Sequence, residues 1–72
     1  MEVRLFATLR ENRGKVVHAE WREGMDGAAL LAELGILPAE VSIFLINGAN
    51  SKLDSILSPD DVIALFPPVG GG

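Results

Sequence analysis

Residues 26–35, DGAALLAELG, form a single helical stretch set between two groups of strand-like segments, and that arrangement constrains the fold most. Asp26 is a natural N-cap, because its carboxylate can accept one of the first unpaired backbone N–H groups. Leu30, Leu31 and Leu34 fall on one face at helical spacing. Gly35 stands where a left-handed C-cap belongs, and Pro38 follows shortly after. A helix from Gly27 to about Leu34 is too short to persist in water alone, so its apolar face must pack on something. In a chain of 72 residues without cysteine, that something is a sheet built from the flanking strands. Length allows one domain, and a domain this small buries roughly 60% of the surface of its unfolded chain. A hydrophobic share of 49% against 22% charged residues is that of a folded protein rather than a disordered one.

The first two strands are read from period-2 patterns and the later ones from apolar runs bounded by turn residues. In residues 2–8, EVRLFAT, Val3 and Leu5 point one way and Glu2 and Arg4 the other; Phe6 breaks the series and covers an edge or the outer face. The cluster ENRG, residues 11–14, is a turn. In residues 15–21, KVVHAEW, Val17, Ala19 and Trp21 make one set and Val16, His18 and Glu20 the other, so the chain opens with a hairpin. After the helix, VSIFLI at 41–46 predicts a central strand followed by an Asn47-Gly48 turn. Residues 50–53 add a short edge strand, SPDD at 58–61 is a turn, and VIALF at 62–66 is the last strand. Pro67 ends its ladder because it has no N–H to donate.

Strand, strand, helix, strand, an irregular piece and a final strand make an α+β fold. A helical crossover leaves the first and last strands as parallel neighbours in the middle of the sheet. The expected architecture is a β-grasp, or ubiquitin-like, roll: a mixed sheet of four to five strands with one main helix on one face. Residues 1–68 form the domain and 69–72 a flexible glycine tail.

The formal charge of −4 and the pI of about 4.7 disfavour nucleic acid, whose phosphates call for clustered Lys and Arg. They suit a basic protein partner. No apolar run is long enough to span a membrane, and the expected location is cytoplasmic. The absence of cysteine removes disulfides, thiolate metal sites and cysteine nucleophiles together. His18 is the lone histidine and sits on the polar set of its strand. Asp60 and Asp61 lie in a turn that favours Asp for its own backbone bonds. Trp21 reads as an aromatic of the core or its edge, and the glycines match no phosphate loop. The residues hold no self-sufficient active site, no metal site and no bound cofactor, so the chain is expected to be something other than an enzyme.

The end of the chain, FPPVGGG, is the candidate site. Gly70, Gly71 and Gly72 carry no side chains and can thread a narrow channel. The Gly72 carboxylate is sterically open; adenylating it makes a mixed anhydride ready for a sulfur or amine nucleophile. Phe66, Pro67 and Pro68 set the exit direction and reduce the entropy lost on insertion. Val69 is a small apolar contact at the channel mouth.

The FPPV segment with Gly71-Gly72 resembles the C-terminus of the ubiquitin-like sulfur-carrier family, and within it the small subunits of molybdopterin synthase. The helix with its preceding loop, Ile46-Asn47-Gly48, and Leu57 with the following turn resemble the family over nearly the whole chain. The resemblance implies that an ATP-dependent enzyme of the ubiquitin-activating type adenylates Gly72, and that a sulfur donor converts it to a thiocarboxylate. It further implies a large catalytic subunit of molybdopterin synthase that takes the sulfur. In this reading Gly71 and Gly72 carry the chemistry. Phe66, Pro67, Pro68, Val69 and Gly70 dock on partners, joined by Phe6 or Phe44 from the open sheet face. Two alternatives keep the tail: a carrier for thiamine or another sulfur-containing metabolite, and a ubiquitin-like protein modifier that forms an isopeptide through Gly72.

Overall fold

The computed structural model describes residues 1–69. Strands β1 (Glu2–Leu5), β2 (Val16–His18), β3 (Ile43–Ile46), β4 (Ala49–Asn50) and β5 (Val62–Phe66) form one sheet, and α1 (Gly27–Leu34) crosses it. The strand order is β2-β1-β5-β3-β4. β1 and β5 run parallel in the middle, with Val3 beside Ile63 and Leu5 beside Leu65. β2 is antiparallel to β1, and β3 is antiparallel to both β5 and β4. This is the β-grasp roll that the element order predicts.

The helix has the expected caps. The Asp26 side chain accepts from the Ala29 N–H at 2.9 Å. Gly35 adopts φ 73°, a left-handed conformation in which a side chain would crowd the backbone. Leu30 and Leu31 are fully buried against Val3, Leu5, Ile63 and Leu65, which form the inner face of the central strands. Trp21 packs at the core edge, its indole N–H donating to the Leu57 carbonyl at 2.8 Å. Asp61 is structural: it accepts from the Ser58 N–H and from the Asn47 amide, whose oxygen in turn receives the Val62 N–H.

Four boundaries differ from the sequence reading. The first strand ends at Leu5 rather than Thr8, because Ala7 takes φ 51° and residues Ala7–Arg10 close a 3-10 turn. The connection to β2 is therefore built around this turn, with Leu9 buried beneath it and Arg13 donating to the carbonyls of Leu9 and Gly35. β2 is confined to Val16–His18, although the Met1–Ala19 backbone pair prolongs the contact. β3 starts at Ile43, since Pro38–Glu40 forms a second 3-10 turn. The edge strand is Ala49–Asn50 rather than 50–53, and Leu53 instead gives its carbonyl to the Ala28 N–H.

Phe44 is a further correction. It points inward and is 5% exposed, so it is core and not part of the open face. Its ring lies under the start of α1, where a Cβ on Gly27 would come within 2.8 Å of Phe44 Cζ and 3.0 Å of the Leu53 carbonyl oxygen. Glycine is needed there for close approach. Gly27→Ala is expected to destabilise the fold by about 1–3 kcal/mol despite alanine's better helix propensity. Denaturant unfolding measures this, and an unchanged midpoint would mean that the ring and the loop yield at little cost.

Candidate functional site: the outer face of β5 and the segment that leaves it

Because side chains alternate along a strand, the residues between the buried ones share the solvent face of the sheet. On β5 these are Val62, Ala64 and Phe66; on β3 they are Ile43 and Leu45. Ile43 lies directly opposite Phe66 and Leu45 opposite Ala64, so the four form a contiguous apolar area. Ile43 is 41% exposed. Phe6 extends the area across β1: its ring stacks on Phe66, with centroids 4.2 Å apart and planes 8° from parallel. The Arg10 guanidinium carbon stands 5.3 Å from the Phe6 centroid, and its Nε donates to the Leu5 carbonyl at 2.8 Å.

This places the expected docking residues. Phe66 sits at the end of the central strand, its carbonyl accepting from the Ser42 N–H at 2.8 Å. Pro67 is half-buried, Pro68 is exposed and Val69 is 93% exposed. Phe66, Pro67, Pro68 and Val69 are thus brought to one edge of the apolar face, together with Phe6. Gly70, Gly71 and Gly72 lie outside the described residues. His18 is exposed on the same sheet face, two strands away from Phe66. Among the described residues, no three His, Asp or Glu side chains converge as metal ligands. No helix among them is long and apolar enough to cross a membrane. A polar concavity of about 420 Å³ is lined by Thr8, Glu11, Asn12, Arg13, Leu34 and Glu40, none of which belongs to the apolar face.

Ile43, Leu45, Ala64 and Arg10 are absent from the docking residues that the sequence suggests. Ile43 could have been found from the alternation of VSIFLI once the inner face was assigned to Phe44. Arg10 could not, because its approach to Phe6 depends on the left-handed Ala7, which no local pattern announces.

Comparison with known proteins agrees with the fold. SAMP1 from Haloferax volcanii has a similar crystal structure, with a TM-score of 0.78 and 30% sequence identity over 99% of this chain and 97% of that one. A second crystal structure, of H. volcanii small archaeal modifier protein 1, is similar at a TM-score of 0.77 and 25% identity, covering 94% and 95% of the two chains. The solution structure of the Haloferax volcanii HVO 2177 protein is similar at a TM-score of 0.78 and 25% identity, covering 99% and 84%. No curated protein sequence matches the chain. The profile described as the ThiS family matches residues 3–72, nearly the whole length. With its sheet order, its capped helix and an apolar face leading into the C-terminal segment, the chain belongs to the ThiS family of ubiquitin-like sulfur carriers.

Proposed function

We propose that this carrier delivers sulfur for molybdopterin synthesis as a C-terminal thiocarboxylate. The observation that carries the reading is the seating of Phe66: the FPPV run that resembles molybdopterin synthase small subunits begins at a residue held in the central strand and stacked on Phe6. Behind that anchor, the prolines and the exposed Val69 lead to the glycines of the sequence.

The chemistry follows from an unhindered main-chain carboxylate. A Gly72 oxygen attacks the α-phosphorus of ATP held by an activating-type enzyme, and pyrophosphate leaves. A hydrosulfide equivalent then adds to the acyl carbon, AMP departs, and a thiocarboxylate remains. The large subunit of molybdopterin synthase takes the sulfur from it. The chain contributes the acyl group and the docking face, and its partners contribute the catalytic side chains. Apolar area removed from water at Phe6, Ile43, Phe66 and Val69 supplies the affinity for both partners in turn.

Intact mass spectrometry of the protein from its own cells tests this. The expected result is a fraction heavier by one oxygen-to-sulfur exchange, mapped to Gly72. A protein still unmodified after incubation with ATP, the cell's activating enzyme and a sulfur source would reject the carrier reading. A second reading, a protein modifier, is favoured by the name of the similar small archaeal modifier protein 1. It predicts isopeptide conjugates between Gly72 and lysines, seen as high-mass species that vanish when Gly72 is deleted.

A further inference from the structure

We propose that Arg10 is a positioning residue: acting through Phe6, it holds the Phe66 ring and so fixes the direction in which Pro67 leaves the sheet. The proposal rests on the reading that the segment after Phe66 enters an adenylating enzyme.

The argument begins at Ala7. Its φ of 51° lies in the left-handed region, an unfavourable place for a residue with a side chain. The bend ends β1 and reverses the chain, and the turn is closed by the Leu9 N–H on the Phe6 carbonyl at 3.1 Å. Leu9 is only 2% exposed, so the turn is anchored in the core. Arg10 is thereby carried back toward β1. Its Nε holds the Leu5 carbonyl at 2.8 Å, and its guanidinium lies over the Phe6 ring. Leu5 is paired with Leu65 on β5, the residue before Phe66. One side chain therefore ties the strand beside β5 to the ring that covers the ring of Phe66. The cation over Phe6 and the near-parallel stack at 4.2 Å disfavour rotation of either ring. Phe66 is the last residue of β5, and Pro67 and Pro68 after it have restricted φ. A fixed Phe66 is thus transmitted along the chain as a fixed exit direction, whereas a loose one lets the segment sweep a wider cone.

Positioning and partner contact make opposite kinetic predictions. A residue that only touches the partner contributes to KM and leaves kcat alone; one that orients the reacting segment after docking acts on kcat. Arg10→Ala is expected to lower kcat about tenfold in adenylation by the activating enzyme of the same cells, with KM within about twofold, because a small misplacement at the reacting atoms is costly. Pyrophosphate release gives both constants. The Phe66 ring proton resonances of the free protein should shift toward unstacked values in the same variant. Arg10→Met, which keeps an apolar stem over Phe6 and removes the guanidinium, serves as the second variant should the first unfold. A raised KM with unchanged kcat would overturn the proposal in favour of direct partner contact. Unmoved Phe66 resonances would also overturn it, and that measurement does not depend on adenylation. A wild-type chain that is not adenylated would instead overturn the carrier reading.

Discussion

Deletion of Gly72 is expected to abolish sulfur acquisition while leaving the fold as it is. Among the described residues the buried cluster runs from Val3 to Leu65 in sequence, and a glycine has no side chain to add to it. Removal of one such residue outside a core is expected to change stability by no more than about 0.5 kcal/mol. The truncated chain still ends in a glycine carboxylate, now that of Gly71. Its position is what changes. One residue of extended chain spans roughly 3.3–3.6 Å, so the acyl carbon of a docked carrier stops short of the nucleotide by about that distance. Misplacement by about 1 Å can cost on the order of 100-fold in rate, so a shortfall of a whole residue should reduce adenylation below detection. Circular dichroism and thermal melting check the fold, and intact mass after incubation with ATP, the activating enzyme and a sulfur source checks the chemistry. Sulfur on the truncated chain would end the requirement for Gly72 and for an exact tail length. Retention of every cellular function without Gly72 would point to an interaction domain with an inert end.

The fold was legible in the sequence where local chemistry and global packing agree. Asp26 and Gly35 announce the two ends of α1, and the structure uses both as caps. Val62 to Phe66 reads as a strand because the turn before it, its apolar, partly β-branched run and the following proline all point the same way, and β5 has those bounds. Legibility fails where a single backbone torsion decides. Residues 6–10 carry nothing that separates a continuing strand from a 3-10 turn, yet the left-handed Ala7 redirects the chain there. It also fails where an apolar run hides its facing. VSIFLI does not say which of its residues points inward, and a shift of one position in a period-2 pattern separates an outward Phe44 from the buried one observed. Register against β5 resolves it, because Phe44 lies opposite the fully buried Leu65. The pairing of Phe6 with Phe66 was present in the sequence in disguise: VRLF at 3–6 and IALF at 63–66 are parallel neighbours in register, so their final phenylalanines meet.

Phe66→Ala is expected to impair partner docking far more than folding. Phe66 is half-buried on the outer face, whereas the inner positions of the same strand, Ile63 and Leu65, are fully buried. Truncating a fully buried phenylalanine costs about 3–5 kcal/mol, largely through the cavity left behind. Here one side of the ring's surroundings is already solvent, and the main loss is the stack on Phe6. A cost of about 1–2 kcal/mol follows, or roughly 5–15 °C in Tm for a domain of this size. Phe66 is flanked by Ile43 and Phe6 at the centre of the apolar area; if that area docks as proposed, a partner would enclose the ring where interface energy concentrates. Loss of such an anchor costs about 2 kcal/mol or more, equivalent to roughly a 30-fold rise in KM for the activating enzyme. Assayed well below the lowered Tm, the variant is folded, so the KM effect cannot be an unfolded fraction. The contrast with Arg10→Ala is then diagnostic: loss of the Phe66 ring raises KM and, because that ring sets the exit direction, also lowers kcat, whereas loss of Arg10 lowers kcat alone. A Phe66→Ala chain that loses folding and docking to the same extent would make Phe66 a core residue, and would move the docking surface elsewhere on the sheet.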